Sequence, residues 1–486
     1  MTRCSPSSFV MRLHLAILPW LSILIGQAPS ATSQKLITRV PIPPEQCIIA
    51  ETWPAGPGQP LVPQAPDAEL RQILRSVDPK RIESIIQKLV SFGTRHTLSN
   101  QTDPVRGIGA ARDWIASEMR SFARASNGRM SVTVPSYVQV PANRIPVNTV
   151  ISDVVATLRG STEPNRVYVI SGHYDSRRTD VMDFVNDSPG ANDDASGVAT
   201  VMELARVMAS HRPAATIVFA AVAGEEQGLF GSNFLAQTLV DSGVEVQGML
   251  NNDIVGSSTA DDGTRDPFVI RMFAQGVPSS ETPAQVSTRL SIGGENDSPA
   301  RQLGRFVHEV ATNDVTGMSI QMIYRQDRFL RSGDHVPFLQ RGIAAVRFTE
   351  PHENFNHQHQ DVRVENGTQF GDLIEFVDFD FIARVARVNG AGLWSLANAP
   401  GTPKNVTINT SALTNNSTLT WVLDDRATGG YEVVYRNPHE PFWTHVVPVG
   451  RSNTASLKLS KDNVNWGVRA VGSNGYKSPA TFPFPG

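Results

Sequence analysis

Cysteine is nearly absent, with Cys4 and Cys47 the only two in 486 residues. That excludes a small scaffold stapled by disulfides, and if Cys4 leaves with an export signal, Cys47 has no intrachain partner. A dominant charge sign is lacking too. Lys+Arg number 43 against 46 Asp+Glu, for a formal net charge of −3. With no long run of Lys or Arg, there is no basic field for a phosphate backbone, and no nucleic acid partner is expected. Long apolar runs are scarce. The stretch 13–25 stands out, but Pro19 interrupts it short of the roughly 20 residues needed to span hydrocarbon. Arg3 and Arg12 precede it and small, polar residues 26–33 follow, so residues 1–33 read as a secretory signal peptide. The expectation is a secreted, extracellular chain with no membrane span after signal removal.

Hydrophobic residues make up 40% and charged residues 18%, the balance of a folded chain with a large core. The length implies two or three units. Residues 34–66 form a leader rich in Pro and Gly without a sustained period. From 67 onward, Leu70, Ile73, Leu74, Ile82, Ile85, Ile86 and Leu89 recur at helical spacing, and Ile108, Ala111, Trp114, Ile115 and Met119 repeat the pattern. Short apolar runs at 167–170, 216–222, 249–254 and 343–348 then alternate with helical patterns at 196–208 and 300–311. This predicts an α/β fold over 67–397, a mostly parallel mixed sheet flanked by helices. After a short linker the texture changes, and alternating strands near 406–408, 418–422, 431–435, 455–459 and 465–471 predict a small all-β sandwich over 403–486. Asn-x-Ser/Thr acceptors at Asn100, Asn186, Asn296, Asn366, Asn405, Asn409, Asn415 and Asn416 predict N-linked glycans on an exported chain.

Chemistry-bearing residues gather at strand ends, where open α/β sheets bind ligands. The run 167–170 leads into His173 and Asp175, 216–223 into Glu225 and Glu226, 249–252 into Asp253, and 343–348 into a loop holding His352, His357 and His359. Asp193 and Asp194 precede a helix; if one caps it, the other is free. Imidazole and carboxylate without thiolate are zinc ligands of a catalytic site. If Asp193 bridges two ions, His173 and Asp253 complete one, and Glu226 with a histidine of the 352–359 loop completes the other. Asp175 then orients His173 through its second ring nitrogen. Glu225, pointing into the cleft, is the general acid/base.

The stretches 171–176 (SGHYDS), 190–197 (GANDDASG), 224–232 (GEEQGLFGS) and 252–256 (NDIVG) resemble, in order, four blocks of the M28 family of co-catalytic zinc aminopeptidases. The resemblance spans roughly 67–397. It implies two zinc ions held by His173, Asp193, Glu226 and Asp253, catalysis by Glu225, and peptide or protein substrates. The family's last block has His followed four residues later by Asp, which implies His357, with Asp361, as the fifth ligand; His359 competes. The segment 332–338 resembles one in which Asp and His shape the substrate side of the cleft. Relatives on this fold also act as one-metal glutaminyl cyclases, carboxypeptidases or non-enzymatic binding proteins. The tail from about 403 resembles a fibronectin type III module.

Overall fold

In the computed structural model, residues 56–486 are described; the expected signal peptide and most of the leader lie outside them. Alternation in the apolar strands feeds two faces of one sheet. In the strand Glu163–His173, Val167 and Val169 face one layer while Tyr168 and Ile170 face the other.

The sheet comprises β1 (Met130–Thr133), β2 (Val154–Leu158), β3 (Glu163–His173), β4 (Ala215–Val222), β5 (Glu245–Asn252), β6 (Val269–Ala274), β7 (Ser319–Ile323) and β8 (Ala345–Thr349). Their spatial order is β7-β6-β8-β5-β3-β4-β2-β1. The central four, β8, β5, β3 and β4, are mutually parallel. Antiparallel pairings of β8 with β6 and of β4 with β2 attach the flanks. The four parallel strands therefore all end at the same edge, and their following loops meet there.

The main helices are α1 (Ala68–Arg75), α2 (Pro79–Val90), α3 (Ile108–Ala123), α4 (Ala195–Met208), α5 (Phe230–Asp241), α6 (Pro299–Ala311) and α7 (Phe379–Asn398). Their starts follow from local chemistry: the side chains of Asp67, Asp78, Ser298 and Asp378 each accept a backbone N–H of the first turn, and Pro occupies the opening turn of α2 and α6. One large apolar cluster joins α1–α4, α6 and α7 to one face of the sheet. A smaller one on the other face gathers Val167, Val169, Val218, Ala220 and Val222 with Leu235 and Ala236 of α5 and with Phe338. No described helix is long and apolar enough to cross a membrane.

Residues after the linker, with one strand from before the α/β unit, form two four-stranded sheets packed through Leu419, Trp421, Tyr431, Val433, Tyr435, Trp466 and Val468. The end of the leader supplies one of those strands, Gln59–Pro60, paired antiparallel with His445–Gly450. Buried Asp297, beside α6, ties this sandwich to the α/β unit. It accepts bonds from Arg305 at 2.9 Å, Gln302 at 2.9 Å, and Arg436 and Asn465 of the sandwich, both at 2.7 Å.

Candidate metal centre

β3 delivers His173 at its last position, and Asp253 follows the end of β5. Asp193 sits in the loop entering α4, Glu226 in the turn Glu225–Gly228 after β4, and His359 in the loop after β8. Two ligand groups result, His173–Asp193–Asp253 and Asp193–Glu226–His359, sharing Asp193. Its two oxygens are divided between them: Oδ1 lies 3.2 Å from His173 Nε2 and Oδ2 2.8 Å from His359 Nε2. His173 Nε2 is 3.9 Å from Asp253 Oδ1, and His359 Nε2 is 3.0 Å from Glu226 Oε1.

A buried framework holds these groups. Asp194 caps α4 by accepting Gly197 N–H at 2.9 Å and also takes the N–H of His173 at 3.0 Å, which leaves Asp193 free. Close approach of α4 to the strand ends needs glycine: a Cβ on Gly172 would lie 2.6 Å from the Gly197 carbonyl carbon, and one on Gly197 2.4 Å from Asn252 O. Asp372 accepts the backbone N–H groups of Asn192 and Asp193 at 2.8 and 2.7 Å. The buried Arg95 guanidinium donates to the carbonyls of Tyr174, Pro189 and Gly190, pinning the loop that carries Asp193. Asp175 meets His173 Nδ1 through its own carbonyl at 3.1 Å, with the carboxylate at 3.5 Å. That carboxylate mainly accepts Thr97 Oγ1 at 2.9 Å and the N–H groups of Glu225 and Glu226, both at 3.2 Å, so it fixes the turn that presents both glutamates.

Electrostatics mark the cluster as built for cations. Burial acts to lower the His359 pKa, but Glu226 and Asp193 override it and push it up to about 9. The same competition, with Asp175, Asp193 and Asp253 prevailing over burial, holds His173 well above the usual imidazole range. Asp193 is pulled well down by the two histidines against its burial. Asp253 is lowered chiefly by Arg347 against burial. Glu225, in neither group, lines the cleft, and burial raises it well above an ordinary carboxylate.

His357 is not brought to the cluster. Its ring stacks on Phe376 with centroids 3.7 Å apart, while Asp361 pairs with Arg178 at 2.7 Å. His359, two residues on, enters the second group because the loop turns there, with His359 at φ 56°. A four-residue spacing rule does not register that turn. His352 pairs instead with Asp266 at 2.6 Å, and buried His335 meets the carbonyl of Gln326 at 2.9 Å. Sequence reasoning missed Arg347, which sits fully buried with Nη2 2.8 Å from Asp253 Oδ1. A lone cation in the apolar strand Ala345–Thr349 was its signal. Arg95 and Asp372 carried none.

The donor set fits zinc: nitrogen and oxygen only, in two groups joined by a carboxylate that can bridge. Glu226 Oε1 is buried, and the polar atom it meets is His359 Nε2 at 3.0 Å, its fellow in the second ligand group.

Fold and cluster together define the class of an α/β protein with a candidate metal centre at the carboxyl edge of its parallel strands. The profile of Peptidase family M28 matches residues 153–368. A probable zinc metalloprotease of Pyrenophora teres f. teres is 60% identical over 442 residues, covering 90% of this chain and 92% of that one. A probable zinc metalloprotease of Leptosphaeria maculans is 61% identical over 427 residues, covering 88% and 99%. Among solved structures, LapA of Legionella pneumophila shares the fold, with a TM-score of 0.50, 17% identity and coverage of 70% and 79%. The chain belongs to peptidase family M28 and to its zinc metalloproteases.

Proposed function

We propose that this metalloprotease is an exported aminopeptidase working with two zinc ions. His173, Asp193 and Asp253 hold one ion, Asp193, Glu226 and His359 the other, and Glu225 is the general acid/base. The observation that carries this reading is the division of the two Asp193 oxygens between the two ligand groups, with Glu225 at the cleft wall outside both. A one-metal cyclase needs only one of the two groups. Zinc in these positions supplies the charge that polarises the scissile carbonyl and makes water a nucleophile at neutral pH. Glu225 takes the proton of the attacking water and delivers it to the leaving amine, a task for which a raised pKa suits it. Asp175 keeps the Glu225 backbone in place through this exchange. The cleft beside the ligand groups has a volume of about 330 Å³, enough for a residue at a chain end.

Amino-acid anilides with free and blocked amines test the reading: the free ones are cleaved, and equal rates on both would remove the aminopeptidase assignment while leaving metal hydrolysis. Glu225→Gln is expected to lower kcat about 10²- to 10⁴-fold with zinc content unchanged, as measured by elemental analysis.

Export and glycosylation form part of the same proposal. All eight acceptor asparagines, from Asn100 to Asn416, are exposed. The C-terminal sandwich is assigned to the fibronectin type III class on its two packed antiparallel-rich sheets and aromatic core. Mass loss on glycosidase treatment of secreted protein checks the glycans; an unshifted mass would remove them.

A further inference from the structure

The wall of the cleft facing the ligand groups is cationic. Arg144, Arg177, Arg328 and Arg331 line it, and the carboxylates that line it are Asp193, Glu225, Glu226 and Asp253, all taken by the metal groups or by proton transfer. Arginines that merely offset the ligands would touch them. Two do so: Arg177 binds Glu226 Oε2 at 2.8 Å, and Arg347, behind the wall, binds Asp253.

Arg144 and Arg331 bind no ligand carboxylate. Arg144, exposed in the loop of the hairpin Ser136–Gln139/Thr149–Ser152, donates to the backbone carbonyl of Glu226 at 2.9 Å. Among the described residues it has no carboxylate within ion-pair distance. Arg331 reaches Glu353 at 3.0 Å, but Glu353 is shared with Arg271 at 3.2 Å and Arg328 at 3.1 Å, and of the three only Arg328 has a further carboxylate, Asp327 at 3.2 Å. The Arg331 side chain keeps 33% of its surface exposed. Two divalent ions in the ligand groups would neutralise the acidic floor and leave Arg144 unpaired and Arg331 with only a shared carboxylate next to the reacting centre. A guanidinium presents paired donors that match a carboxylate, and such charge-assisted bonds are about twice as strong as neutral ones.

We propose that Arg144 and Arg331 bind a substrate carboxylate beside the cleaved bond, supplied either by an acidic side chain or by a free C-terminus. The proposal rests on this cleft being the substrate site of the peptidase. Its test is binding rather than turnover, so that the two can fail separately. Zinc-loaded full-length protein carrying Glu225→Gln, which suppresses hydrolysis, is titrated calorimetrically with three probes. Glutaminamide has no carboxylate, isoglutamine has only the side-chain carboxylate, and glutamine has only the α-carboxylate.

At least one acid is expected to bind about tenfold more tightly than glutaminamide, the gain of a single well-placed charged contact. The acid that gains identifies the source. Adding Arg331→Met or Arg144→Met should shrink the ratio toward one, with zinc content verifying the fold. A ratio near one in the parent, no binding of any probe, or a ratio untouched in both arginine variants overturns the proposal. The last result would assign carboxylate affinity to zinc alone.

Discussion

At the scale of single residues, the two neighbouring histidines make opposite predictions. His359→Ala removes a donor from the second ligand group and is expected to cut bound zinc from two ions toward one per chain, whereas His357→Ala loses only a stacking contact with Phe376 and keeps both. Elemental analysis of the two purified variants decides it. Protonation gives a second check. Glu226 and Asp193 push His359 up to about 9, so zinc binding there competes with a proton. Calorimetric titration of metal-stripped protein in buffers of different ionisation enthalpy should show net proton release at pH 7, and apparent affinity should fall as pH is lowered. The cluster residues His173, Asp193, Glu226 and Asp253 were legible because each lies at a readable strand end or just before a helix start. His359 was not, since a loop conformation decides whether it or His357 turns inward.

At the scale of elements, what matters is how closely α4 meets the ends of β3 and β5. Gly197→Ala would set a Cβ 2.4 Å from both Asn252 O and Asp194 Oδ2, forcing the helix away from the strand ends. Overpacking of this kind costs about 1–3 kcal/mol, and denaturant unfolding should register it together with weakened zinc retention. The four parallel strands were legible because strands buried on both faces read as nearly continuous apolar runs. The flanking strands β1, β2, β6 and β7 were not read. Val269–Ala274 and Ser319–Ile323 interrupt their apolar residues with Arg271 and Gln321, and their place in the sheet depends on partners distant in sequence.

At the scale of the whole molecule, the sandwich behaves as part of one folded body rather than a tethered appendage. Asp297 joins Arg305 of α6 to Arg436 across the boundary, and Arg469 of the sandwich reaches Glu309 at 3.1 Å. Asp297→Ala would strand two buried guanidinium groups, with an expected loss of about 3–5 kcal/mol in thermal or denaturant unfolding. Another boundary pair sets acid sensitivity. Burial acts to raise the Glu163 carboxyl, but its bonds to Arg166 and to Arg426 of the sandwich outweigh this and hold it below the usual range. A depressed folded-state pKa contributes stability that is complete above the unfolded value of about 4.3 and is lost as pH falls through the lower folded value. Glu163→Gln should therefore narrow the stability difference between pH 7 and pH 3.

By itself, the sequence determined the α/β class, the trailing all-β unit, and the residues that a strand or helix end must present, because local periodicity and turn chemistry act within a few residues. Tertiary structure alone decided which histidine completes the second ligand group, that the leader adds a strand to the C-terminal sheet, and that buried Arg347 and the Arg144–Arg331 wall surround the acidic floor. Each of those depends on contacts between segments far apart in the chain, where desolvation and packing, not local pattern, choose the partner.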